Sequence, residues 1–153
     1  MRIAVYFALI TLLASGSARA QPASQPDGLA CFENLAPPEY PNAALRAHVD
    51  GSVWSTIHVS PESVPDKIDT QVVSAWSEGS KLLTAPVEKA IRAAKVKPAC
   101  AGKTVLVVFR YQLYGEPKAH PKVTTRTEPP NLIWIESQPA NVPESASNAP
   151  ARH

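Results

Sequence analysis

The run from Thr104 to Tyr114 constrains the fold more than any other segment. It is β-branched and aromatic nearly throughout. Alternation puts Val105, Val107, Phe109, Tyr111 and Leu113 on one face, and Leu106, Val108, Arg110, Gln112 and Tyr114 on the other. A strand with one wholly apolar face must bury it, so the chain needs neighbouring strands and a cover. Ser52 to Ser60 alternates in the same way, with Val53, Ser55, Ile57 and Val59 against Trp54, Thr56 and His58. After the two-proline turn Pro61 to Asp66, Lys67 to about Trp76 predicts a second strand, with Ile68, Thr70, Val72, Ser74 and Trp76 on one face. Two strands this close in sequence pair most simply as an antiparallel hairpin.

The cover is a helix predicted over Leu82 to about Val96. Leu83, Val87, Ala90, Ile91 and Ala94 recur at helical spacing and form one apolar stripe. Pro86 belongs in its first turn, and Pro98 ends it. A short leading helix, Asn42 to His48, follows Pro41 and stops at Asp50-Gly51. The expected fold is α+β: an antiparallel sheet of three strands, or four, packed against one long helix.

The chain ends differ in character. Arg2, the apolar stretch Ile3 to Ala14 and Ala18-Arg19-Ala20 have the form of a cleavable secretory signal over residues 1–20. The apolar stretch is too short for a bilayer span, which takes about 20 residues. Cleavage after Ala20 leaves 133 of the 153 residues, enough for one domain. An uncleaved anchor is the competing reading. Of 15 basic residues, Arg2 and Arg19 lie in the signal, so 13 remain against 13 acidic ones. That zero balance gives no field to draw nucleic acid or an anionic membrane. Residues 21–30 are expected to be a disordered lead, 31–114 the domain, and 115–153 a tail with seven prolines. Periplasmic localisation, with no membrane insertion after cleavage, is expected.

Cys31 and Cys100 are the two cysteines. In an exported chain an even count reads first as a structural disulfide. A redox pair is the alternative, but there is no Cys-x-x-Cys. Signals for catalysis are absent. His48, His58, His120 and His153 do not stand at metal-ligand spacing with a second ligand. Gly-x-Ser-x-Gly, phosphate-binding glycine loops and His-Glu-x-x-His do not occur. No catalytic residue, metal or cofactor is expected, and the chain reads as a non-enzyme.

Pro38-Glu39-Tyr40-Pro41-Asn42-Ala43-Ala44-Leu45-Arg46 leads into Gly51-Ser52-Val53. Later, Val87-Glu88-Lys89-Ala90-Ile91-Arg92 runs into Lys97-Pro98-Ala99, then Gly102-Lys103 and the strand Val105 to Leu113. Over about Ala36 to Tyr114 the chain resembles the C-terminal domain of TonB-type energy transducers. It departs from that pattern in lacking a glycine in the turn Pro61 to Asp66, in Val96 before Lys97-Pro98, and in the cysteine pair. A signal peptide also stands where a membrane anchor and long spacer precede the domain in TonB itself. The resemblance implies that the last strand lies near the sheet edge where an extended peptide of an envelope partner adds, such as that of a TonB-dependent receptor. In this chain that strand is Val105 to Leu113, with Val108, Arg110, Gln112 and Tyr114 as candidate partner contacts or plain solvent-facing residues. Backbone groups on a free edge supply affinity, and alternate side chains supply selectivity.

Leu132, Ile133, Trp134 and Ile135 form a β-prone segment, 131–136, within the proline-rich tail. An exposed apolar strand is a liability unless it pairs. It is expected either to fold back as a fourth strand on the domain's own edge or to pair with a second copy as a swapped homodimer.

Overall fold

The computed structural model describes residues 28–73 and 78–141. The signal-like stretch, most of the lead, Ser74 to Ser77 with Trp76, and the chain beyond Asn141 lie outside the described residues. In chain order the elements are β1 (Phe32–Asn34), α1 (Asn42–Arg46), β2 (Gly51–Val59), β3 (Pro65–Val73), α2 (Thr84–Arg92), β4 (Lys95–Val96), β5 (Thr104–Leu113), β6 (Thr124–Glu128) and β7 (Leu132–Ser137). Single 3₁₀ segments occupy Leu29–Cys31, Glu78–Leu83 and Pro98–Cys100.

The class is α+β, but the sheet has five strands in the order β3-β2-β5-β7-β6. β2 pairs antiparallel with β3 and with β5, as alternation and proximity suggest. The tail corrects the expectation of a purely antiparallel sheet of three or four strands. The chain leaves β5, skips one strand position and returns as β6. It turns through the cis Pro129-Pro130 bond and inserts β7 between β6 and β5. β6 starts level with the end of β5 and runs antiparallel to it, so its hairpin partner β7 runs parallel to β5.

The predicted inward faces are the buried ones. Val53, Ser55, Ile57 and Val59 of β2 and Val105, Val107, Phe109 and Tyr111 of β5 are at most 2% exposed. α2 packs on the β3 side of this face and buries Val87 and Ile91. It is nine residues long and not the long helix expected. Its N-terminal stretch is 3₁₀ as far as Leu83, and Lys95–Val96 leaves the helix to pair with β1. That exchange buries Val96 opposite Phe32.

The Cys31–Cys100 disulfide is formed and ties the N-terminal segment to the loop before β5. Gly28, Leu29 and Ala30, expected in the lead, belong to the fold. The Leu29 N–H donates to the Pro130 carbonyl at 3.1 Å. Gly28 lies so close to β5 that a Cβ there would collide with the Leu106 carbonyl oxygen. The core also continues past Tyr114: Ile133 and Ile135, at 1% and 0% exposure, belong to the same cluster as Phe109 and Tyr111.

Candidate functional site

The border of β5 away from β2 is where the sequence directs attention, and the structure places the tail along it. Val108, Arg110 and Gln112 stand opposite Leu132, Trp134 and Glu136. The Val108 N–H donates to the Asn131 carbonyl at 2.7 Å, and the Tyr114 N–H to the Ser137 carbonyl at 3.0 Å. β5 is therefore an interior strand and not an edge, and its outward backbone groups have partners in the chain itself. The sheet's edges are β3 and β6. β6 is short, exposed throughout, carries Arg126 and Glu128, and ends at two prolines. Those are the features by which natural sheets discourage strand addition.

The two groups of residues singled out in the sequence meet on the solvent face. Trp134 lies between Arg110 and Arg126, the three being cross-strand neighbours on β5, β7 and β6. The guanidinium carbons lie 4.9 Å and 4.1 Å from the Trp134 ring centre. The Trp134 Nε1–H donates to Glu128 Oε2 at 2.9 Å. Arg126 also pairs with Glu128 at 3.3 Å and with Glu136 at 3.7 Å. This clasp holds β7 from outside while Ile133 and Ile135 hold it from inside. Arg126, Glu128 and Glu136 had not been singled out. The Thr-Thr-Arg-Thr-Glu run was a usable strand signal, but the surrounding prolines masked it.

Tyr40, from the Pro-x-Tyr-Pro motif, is a core residue. Its ring meets Tyr111 edge-on, 5.0 Å between centres, and its hydroxyl donates to the Val49 carbonyl at 2.7 Å. Burial pushes both phenols well above their ordinary pKa of 10.0; the charge of Asp50 adds to the effect on Tyr40, and Tyr40 adds to that on Tyr111. Both groups are neutral when folded, so the stability they contribute is complete below the unfolded value and is lost as pH rises past it. The melting temperature is expected to begin falling above about pH 10. Scanning calorimetry should find that fall shallower in the Tyr40→Phe/Tyr111→Phe double variant.

Other polar groups offer little chemistry. Among the described residues no three of His, Cys, Asp or Glu are grouped closely enough to hold a metal ion. His58 is exposed on its strand face, with Nδ1 at 2.8 Å from the Thr104 hydroxyl. Ser55 Oγ, on β2 between β3 and β5, is buried without a hydrogen-bond partner among the described residues. A groove of about 390 Å³ separates Leu29, Phe32 and Leu35 from Pro129, Pro130 and Ile133 at the turn between β6 and β7. Among the described residues no helix is long and apolar enough to cross a membrane. No protein-family model matches this chain, and no curated protein matches it in sequence.

Proposed function

We propose that this chain is an exported, non-catalytic binding module of the TonB C-terminal type, working in the periplasm, whose peptide-accepting strand is held by its own tail. The guest is an extended segment of an envelope protein, such as a TonB-dependent receptor, and it joins the sheet by replacing the β6–β7 hairpin beside β5. One observation carries this reading. A short segment from a proline-rich tail is seated in register along the whole outer half of β5, with backbone hydrogen bonds at both ends. A border that accepts one extended segment has the geometry to accept another. The Cys31–Cys100 bond and the signal-like first 20 residues support an oxidising, exported setting.

The clasp supplies the test. Trp134→Ala with Ile133→Val removes the cation–π contact that joins the hairpin to Arg110 and one buried methyl group, and leaves β5 unaltered. Together these are worth about 1–2 kcal/mol, or roughly tenfold in the open population. Pull-downs from envelope extracts should recover several-fold more of a defined protein with the loosened variant than with the unaltered chain. Equal recovery by both would remove the exchange step.

A second reading is favoured by the burial of Ile133 and Ile135: a structural exported domain whose sheet border is closed for good by its tail. Its signature is protection of the Val108 to Tyr114 amides that equals global stability in both proteins. Exchange of the hairpin between two copies would instead appear as a concentration-dependent mass.

A further inference from the structure

We infer that the tail strand is a built-in copy of the guest, and that its side chains state which peptide the border selects: a β-branched aliphatic, an aromatic, a second β-branched aliphatic, a polar acceptor and a small residue, running parallel to β5. The inference rests on the strand-exchange reading above and deepens it by naming the partner's chemistry.

Each position follows from what the domain keeps when the hairpin leaves. Ile133 and Ile135 are 1% and 0% exposed and pack into the cluster that contains Phe109 and Tyr111. Their departure opens apolar space that only aliphatic side chains at alternate positions refill without stranding polar groups. Between them Trp134 points to solvent and stacks on Arg110. Arg126 leaves with the hairpin, but Arg110 sits on β5 and remains, so a cation still waits for an aromatic ring there. Glu136 stands opposite Gln112, an amide able to donate to an acceptor. Ser137 is fully buried, which leaves room for a small side chain only.

Direction is set as well. Asn131, just before the strand, accepts from the Val108 N–H, and Ser137 at its end accepts from the Tyr114 N–H. At the second of these positions the Ser137 side chain is fully buried, whereas Asn131 at the first is only partly so. A guest in the opposite direction would bring the larger polar residue of its other end into the buried Ser137 space.

The probe is a fluorescent heptapeptide with the sequence of residues 131–137, titrated onto the full chain carrying Trp134→Ala and Ile133→Val. The comparison peptides are the reversed sequence, a version with serine at both isoleucine positions, and one with alanine for tryptophan. The forward peptide is expected to bind at least about tenfold more tightly than the serine version, from the buried apolar area, and than the reversed version, which brings asparagine into the buried Ser137 position. Alanine for tryptophan should cost about threefold, and that difference should vanish in a protein also carrying Arg110→Ala. Equal binding of forward and reversed peptides overturns the inference. Hydrogen exchange at Val108 to Tyr114 separates the two failures. If loosening the clasp speeds exchange and raises envelope capture but no peptide binds, the proposed guest pattern is wrong and strand exchange stands. If exchange is not faster, the hairpin does not leave and both fall.

Discussion

Replacing Ile133 and Ile135 together with alanine is expected to lower the unfolding free energy by about 5 kcal/mol. Each truncation removes buried aliphatic volume, and single changes of this kind cost about 2–5 kcal/mol. The two side chains are neighbours on one strand face, so the combined loss falls short of the sum. A domain of this size has only about 5–15 kcal/mol in all. The measurement is a urea melt read by circular dichroism. A loss under about 1 kcal/mol would mean that the tail strand is an accessory and not a wall of the core. The same variant should expose the alternate amides of Val108, Arg110, Gln112 and Tyr114, which lie on the β7 side of β5.

That figure bears on function. Releasing the hairpin uncovers two isoleucines worth about 2–3 kcal/mol each, so the open form is populated on the order of one molecule in several thousand. A guest's apparent affinity is weakened by that factor. A segment binding the open border at nanomolar strength would therefore act at micromolar concentration in the resting protein. This suits a partner held nearby at high local concentration more than a free peptide.

Removing the disulfide is the second large effect. Cys31→Ala with Cys100→Ala opens a covalent loop spanning a sequence separation of 69. The chain-entropy account puts its contribution at about 4 kcal/mol at this loop length. The loss should not be spread evenly. Cys31 neighbours the segment that contacts the hairpin turn through Leu29 and Pro130, and its carbonyl accepts from the Lys97 N–H at 2.8 Å. Hydrogen exchange should therefore rise first at β1, β4 and the turn between β6 and β7. The amides between β2 and β3 should follow only with global unfolding. Uniform acceleration across the sheet would show the bond acting on the unfolded chain alone.

Much of the domain was legible from local pattern. The alternation of β2 and β5 named the buried faces residue by residue, because a strand's period of two ties sequence position to sheet face. Leu83, Val87 and Ile91 of the helical stripe are buried for the analogous reason. A chain with two cysteines in an oxidising setting has only one intramolecular pairing to make.

Which strand sits beside which was a different kind of question. Leu132 to Ile135 showed its β character in sequence, but nothing local told whether it would meet β5, a second copy or a partner. The answer depends on the open border of β5 and on apolar space beside Phe109 and Tyr111, both made by residues far away in the chain. β6 was hidden because its threonines face solvent on an edge, where a strand needs no apolar face. The parallel entry of β7, the interior position of β5 and the meeting of Arg110, Trp134 and Arg126 all follow from that one return of the tail. Periodicity is written within a single strand, whereas adjacency is settled between strands, by whichever segment best fills the space the others leave.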